Sequence, residues 1–535
     1  MRFTQFRARV LAPLMCSVTL LVAPVATAEM EKERPLASTQ YGDVRGAVDD
    51  GISVFLGIPY GGDTAGERFK PACPPAPWGE ALEATAFPDS TPAVEMSSAM
   101  FASWAPDPAP AQSENMLGLN VWTPGLDDRQ RPVMVWLHGG GFQSGNGSSN
   151  AYNGTALAQR GDVVVVTINH RLNMLGYLYL ADIGGEAYAD SGNLGNMDMV
   201  LALEWVRDNI AEFGGNPNNV TIFGESGGGR KVSTLLAMPS AEGLIDRAIV
   251  QSGSHLKIRT PEEATEDTRE IMALLGIEGD DVAALEALSV EEIVDAVKQI
   301  GLNMTGSISW GPVLDGRSFT SHPFDGEAAA SARNVPMLIG SNKDELSLWI
   351  APDRSVFTMD YDEVAPRLKA FVSGDVDIPA LVEGYRAQYP EKTPVELMIA
   401  VASDARYSAN AVTQAKVKAA QGGAPVWLYQ FDWETPVFGG VLGAPHAVEI
   451  PFAFDNLDVS ASMVGDPAKA QGVADQVSEA WISFARHGNP NARGLPYWPR
   501  VSATRPTAMR FDDVSKVDPN YFAEEQAIWN ALDAE

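Results

Sequence analysis

Gly224-Glu225-Ser226-Gly227-Gly228 sets a serine among glycines, directly after the short β-rich run Val220-Thr-Ile-Phe223. A serine held at a sharp strand-to-helix turn presents its hydroxyl outward, and the glycines allow close backbone approach. The amides at such a helix start favour developing negative charge. The chemistry this suits is nucleophilic attack on a carbonyl. It needs a base for the hydroxyl proton, an acid to orient that base, and N–H donors for the oxyanion.

Leu137-His138-Gly139-Gly140-Gly141-Phe142 follows a second apolar run and supplies candidate donors. Three glycines in a row cost chain entropy, a cost explained if their amides must approach a ligand. The backbone N–H groups of Gly140, Gly141 and Gly227 are the candidates. A phosphate-binding loop is the rival reading, but the run lacks the terminal Gly-Lys-Ser/Thr, and no G-x-G-x-x-G fits it.

The base must be one of six histidines. His138 sits in the glycine loop and is read as shaping it. His170 follows a strand and is read as structural. His255, His322 and His487 lie in polar segments and are read as solvated. His446, in Gly443-Ala-Pro-His446-Ala-Val-Glu-Ile-Pro451 late in the chain, is the remaining candidate. For the acid, Ser341-Asn-Lys-Asp-Glu345 follows a predicted strand at 337–340, where α/β sheets place function. Asp344 and Glu345 both qualify, and their residue chemistry does not separate them. The order serine, acid, histidine is that of α/β hydrolases rather than of the two serine-protease types.

These groups need a scaffold. Pro132–Leu137 and Val163–Ile168 are continuous apolar runs, the mark of strands buried on both faces in a parallel sheet. Ala248–Gln251 and Met337–Gly340 read as further strands, and Gly51–Pro59 and Leu119–Trp122 as β-rich runs. Leu201–Phe213 has helical spacing, followed by a turn at Gly214–Asn219. Strands alternating with helices predict a doubly wound α/β sheet. Thr260-Pro-Glu-Glu263 and Ser289-Val-Glu-Glu292 are capping boxes, which predicts short amphipathic helices across 260–300, inserted over the sheet.

The formal charge is −31. Phosphate contacts need clustered Lys and Arg, so nucleic acid and anionic membrane surfaces are poor partners for this chain. Arg2, Arg7 and Arg9 precede the apolar stretch Val10–Val25 and then Ala26-Thr27-Ala28, the layout of an export signal cleaved after Ala28. The expectation is a periplasmic or secreted single domain over 29–535, with no membrane span. Of the two cysteines only Cys73 lies beyond that signal, which rules out an internal disulfide. No H-E-x-x-H occurs, and neither metal nor cofactor is expected.

At these residues the chain resembles the type-B carboxylesterases, the family that includes cholinesterases and bacterial para-nitrobenzyl esterases. Phe55-Leu-Gly-Ile-Pro-Tyr60, Arg68-Phe69, Ser113-Glu114, Leu119–Pro124, Asn169-His-Arg171 and Phe213-Gly-Gly215 carry the likeness. Gly224–Gly228, Ser341–Glu345, His446–Phe454, Gly488-Asn-Pro490 and Trp498-Pro499 extend it over nearly the whole chain. The resemblance implies an α/β-hydrolase fold, a central mostly parallel sheet flanked by helices with helical insertions over the active site. It also implies hydrolysis of small-molecule carboxylic esters, with Ser226 as nucleophile, Glu345 as the acid, His446 as the base, and the amides of Gly140, Gly141 and Gly227 as the oxyanion hole.

Three positions depart from the family pattern. Met116 stands where disulfide-bearing relatives have a cysteine, which leaves Cys73 free. Gly227 replaces a common alanine, so a looser turn is expected. Arg230 and Lys231 replace small residues early in a helix, where cations cost roughly 0.3–1 kcal/mol. They are expected to pair with surface acids; the alternative is that one of them faces an acidic part of the substrate. Trp104, Phe142, Trp310 and Trp349 are candidate linings of the substrate site.

Overall fold

The continuous apolar runs become the central strands of one sheet. The computed structural model describes residues 34–94, 110–301 and 309–532. The signal-like stretch 1–28 and Trp104 lie outside the described residues. Pro35–Glu535 form one structural unit.

The strands of the large sheet are β1 (Ala47–Asp49), β2 (Ile52–Pro59), β3 (Gly118–Thr123), β4 (Arg131–Leu137), β5 (Val164–Ile168) and β6 (Gly215–Glu225). They continue with β7 (Arg247–Gln251), β8 (Met337–Asn342), β9 (Val426–Phe431), β10 (Ala508–Phe511) and β11 (Lys516–Asp518). Their order is β11-β10-β9-β8-β7-β6-β4-β5-β3-β2-β1. Every pairing from β5 through β10 is parallel, and the flanking pairs are antiparallel. The architecture is the expected α/β sheet. A separate small sheet joins Leu36–Thr39, Gly42–Arg45 and Leu82–Glu83.

Alternation along the central strands explains the nearly unbroken apolar runs of β4 and β5. Val133, Val135 and Leu137 of β4 pack into one hydrophobic layer, and Met134 and Trp136 into another. Val164 and Val166 of β5 join the first layer and Val165 the second. Both faces are covered, so a polar side chain on these strands is costly.

Two boundaries differ from the periodicity. The helix predicted at 201–213 begins earlier and spans Leu194–Asn209, with a 3₁₀ turn over Ile210–Phe213. Its first turns bury Asn196 and Asp198, polar residues that hide the apolar spacing. Asp198 binds the buried Arg171 guanidinium at 2.6 and 2.8 Å and accepts the Arg171 amide at 3.0 Å. Of the segment predicted as a turn at 214–219, Gly214 is a left-handed turn residue and the rest is instead the entry of β6. There the pairing with β4 jumps from Arg131–Gly215 to Val133–Val220, a bulge around Pro217, which has no N–H to donate.

The insertion over 260–300 forms helices Pro261–Leu274, Val282–Glu286 and Val290–Ile300, with both capping boxes closed. Ile271, Leu285 and Ile293 share a hydrophobic cluster with Phe142, the residue after the glycine loop. A second helical region, Ile378–Gln388, Pro394–Ser403 and Ala409–Ala420, was not predicted, although Thr393 and Glu396 form a third capping box. No helix among the described residues is long and apolar enough to cross a membrane.

Candidate active site

The parallel strands end on one edge of the sheet, and the chemistry-bearing loops leave from that edge. Ser226 follows β6 immediately and opens the helix Gly227–Leu235. Its φ of 57° and ψ of −120° lie where a side-chain-bearing residue is strained. The strain persists because the turn is pinned. The Ser226 amide donates to the Gln251 carbonyl of β7 at 2.9 Å, and a Cβ on Gly228 would lie 1.9 Å from the Leu137 carbonyl oxygen.

The glycine loop leaves β4 beside this turn. Gly140 and Gly141 have φ of +84° and +66°, and a Cβ on Gly140 would meet the Ser144 carbonyl at 2.4 Å. Both are partly exposed, and among the described residues neither amide N–H has an acceptor. Gly227 is the first residue of its helix, where the N–H has no intrahelical partner. The missing methyl at 227 does not leave empty space, because a Cβ there would lie 2.3 Å from the Gly141 nitrogen. The glycine loop has closed onto that position.

Glu345 follows β8 and His446 lies in the loop that follows β9. His446 Nδ1 is 2.6 Å from Glu345 Oε2, and the His446 amide donates to the Glu345 carbonyl at 3.3 Å. Glu345 is fully buried, and its Oε1 accepts the Asn342 amide at 2.8 Å. Asp344 turns away and accepts the Ala444 amide at 3.0 Å, bracing the histidine loop from outside. The structure therefore brings His446 to Glu345 and not to Asp344. His446 is bracketed by Trp349 and Tyr407, with ring centroids at 5.1 and 5.0 Å.

The electrostatics around His446 come from three buried glutamates. His446 Nε2 is 3.1 Å from Glu225 Oε1, on the residue just before Ser226. Glu449 is held by the side-chain amides of Asn342 at 2.7 Å and Gln251 at 3.2 Å. Burial alone would lower the His446 pKa, but the charges of Glu225 and Glu345, with a smaller contribution from Glu449, raise it to about 9. Burial holds the Glu225 carboxyl well above the usual carboxylate range against the opposing pull of His446, so it is charged chiefly while the ring beside it is protonated. Only neutral imidazole can accept the serine proton, so kcat/KM should climb with pH, with an inflection above ordinary imidazole. Glu225→Gln removes one raising charge, so the inflection should move toward acid by roughly one unit. Paired pH–rate profiles of the two proteins check this, and an unmoved or more alkaline inflection contradicts it.

The other histidines divide. His138 and His170 are buried and stacked at 5.0 Å, consistent with loop-shaping and structural roles, and His138 Nδ1 is 2.9 Å from the Gly139 carbonyl. His487 is exposed as expected. His255 and His322 are not simply solvated, because both line a cavity beside Phe142. Arg230 and Lys231 also depart from expectation, since among the described residues neither pairs with an acid. Lys231 is fully buried and donates to the His138 carbonyl at 2.8 Å, and burial pushes its pKa well down. Helix Gly227–Leu235 is buried on the face that carries Lys231, so a residue of surface type there points inward. Cys73 is free and exposed.

Sequence reasoning missed Glu225, Asn342, Glu449 and Tyr407. Glu225 occupies the variable position of the serine motif, and Tyr407 sits on the unpredicted helical region, so spacing carried no signal for either. Phe142, Trp310 and Trp349 do lie near the site.

Residues 33–529 match the Carboxylesterase family. The chain is 37% identical to a para-nitrobenzyl esterase of Bacillus subtilis (strain 168), over 87% of this chain and 92% of that protein. It is 35% identical to a phenmedipham hydrolase of Pseudarthrobacter oxydans, over 90% of this chain and 95% of that one. The crystal structure of Geobacillus stearothermophilus carboxylesterase EST55 at pH 6.2 superposes with a TM-score of 0.81 at 39% identity, covering 93% of this chain and all of that one. The chain thus belongs to the carboxylesterase family, has the α/β-hydrolase fold and is a carboxylic ester hydrolase.

Proposed function

We propose that the chain cleaves small-molecule carboxylic esters through an acyl-enzyme on Ser226. The observation that supports this most is the buried Glu345–His446 pair, 2.6 Å apart, whose second ring nitrogen faces the Glu225–Ser226 turn. His446 Nε2 takes the Ser226 proton as Oγ bonds to the ester carbonyl carbon. The carbonyl electron pair moves to oxygen, where the amides of Gly140, Gly141 and Gly227 receive it. His446 then gives the proton to the leaving alkoxide as the ester C–O bond breaks. Water attacks the acyl-enzyme by the same route and releases the acid and Ser226. Glu345 holds the imidazole with its proton on Nδ1 throughout. No cofactor takes part in this scheme.

Hydrolysis of para-nitrophenyl butyrate by the wild type beside its Ser226→Ala variant tests the reading. Equal rates in the two folded proteins would overturn it.

We also propose that residues 1–28 are a cleaved export signal and that 29–535 is one catalytic domain working in the periplasm or outside the cell. Support comes from the basic start, the apolar run and Ala26-Thr27-Ala28. The exported protein should begin at Glu29; recovery of the mature enzyme with Met1 retained would contradict this.

A further inference from the structure

Beside the nucleophile lies a cavity of about 450 Å³, with Phe142, Arg230, His255, Trp310 and His322 among its lining residues. It adjoins the reacting centre at two points. Phe142 follows Gly141 directly, and Arg230 stands one helical turn beyond Ser226, its amide donating to the Ser226 carbonyl at 3.0 Å. Ser226 itself has non-helical φ and ψ, so what joins the two residues is this hydrogen bond across the first turn rather than a shared helix face. Arg230 and Phe142 thus set the cavity one turn of backbone from Ser226 and one residue from Gly141.

Arg230 is partly exposed and, among the described residues, its guanidinium has no hydrogen bond or ion pair. This is notable in a chain with 69 Asp and Glu against 38 Lys and Arg. The carboxylate it influences through space, Glu225, lies against His446 instead. The cavity's other cations are committed: Arg259 to Asp267, and Lys257 to Asp325 at 3.3 Å. Glu263, the carboxylate in the lining, is held by the Thr260 amide at 2.9 Å in its capping box.

Neutral donors accompany the free guanidinium. The indole N–H of Trp310, a residue 7% exposed, has no acceptor among the described residues. His322 Nδ1 accepts the Ile258 amide at 3.3 Å, which puts its proton on Nε2. Burial, then Arg230 and His322, hold the His255 pKa at about 3, so its ring stays neutral and does not compete for an anion. Phe142 and Trp310 offer apolar walls for a short carbon chain.

We propose that this cavity binds an ionised carboxylate on the substrate, and that the enzyme's preferred esters are half-esters of dicarboxylic acids, with Arg230 the residue that selects them. The proposal rests on the serine-esterase reading for the reaction, while the anion site itself can be tested without turnover.

The test compares the mono-para-nitrophenyl ester of adipic acid with para-nitrophenyl hexanoate, which has the same chain length without the charge. In Arg230→Ala the ratio of kcat/KM for the acidic over the neutral ester should fall by about 10- to 100-fold, the loss of one charge-assisted contact. Arg230→Lys should restore part of it, and added salt should shrink the wild-type ratio. A ratio unchanged in Arg230→Ala overturns the proposal, as does an equal effect on both esters. Free adipate should also raise the Tm of the wild type and not of Arg230→Ala. If that shift appears while Ser226→Ala hydrolyses esters as fast as the wild type, the serine-esterase reading fails and the anion site stands. If turnover depends on Ser226 while the shift and the ratio ignore Arg230, the anion site fails alone.

Discussion

Ser226→Ala is expected to lower kcat for para-nitrophenyl butyrate by about 10⁵- to 10⁶-fold, the scale on which loss of a serine nucleophile acts when base and oxyanion donors remain. Without Oγ no acyl-enzyme forms, and the remaining amides and pocket can only assist direct attack by water. The fold should survive. The turn is held by the Ser226 amide on the Gln251 carbonyl and by the close approach of Gly228 to Leu137, and neither involves the hydroxyl. Alanine keeps the Cβ that is strained at φ 57°, so it neither relieves nor adds backbone strain. Steady-state rates with matched Tm values check the prediction, and a loss below about tenfold in a folded variant contradicts it.

Glu345→Gln should cost about 10⁴-fold in kcat, with little change in KM. The carboxylate holds Nδ1 of His446 at 2.6 Å as an acceptor, so the ring proton must sit on Nδ1 and Nε2 is free to act as the base. A glutamine can turn its NH₂ toward Nδ1. That places the ring proton on Nε2, where it blocks abstraction from Ser226. Asp344→Asn is the comparison, because Asp344 accepts the Ala444 amide and does not touch the imidazole. It should lower kcat far less than Glu345→Gln. Kinetics of the two variants side by side decide the matter, and an Asp344→Asn loss equal to or larger than that of Glu345→Gln would contradict the assignment.

The main buried strands were legible because burial on both faces of a parallel sheet forces apolar runs, as in Val133–Leu137 and Val164–Ile168, whereas their order in the sheet left no mark on spacing. The serine turn and glycine loop were legible for a related reason. Their backbones approach each other so closely that Gly228 tolerates no Cβ, and such crowding leaves glycines in the sequence. The acid was not legible from residue chemistry. Asp344 and Glu345 differ only in which way the chain turns after β8, and the family resemblance rather than spacing favoured Glu345. The start of Leu194–Asn209 was hidden because its buried Asn196 and Asp198 are satisfied by tertiary partners, which periodicity cannot anticipate. Lys231 and Arg230 were misread for the same reason. A lysine reads as surface, yet here its amine meets a buried carbonyl, while the neighbouring arginine is left facing a cavity.

The most direct test of the central claim is to quench the wild type during turnover of para-nitrophenyl butyrate and locate the acyl group by peptide mass spectrometry. One butyryl group on the peptide that carries Ser226, absent from Ser226→Ala, is the predicted result. Turnover at full rate with no acyl group on Ser226, or with the acyl group on another residue such as the exposed Cys73, would contradict the account.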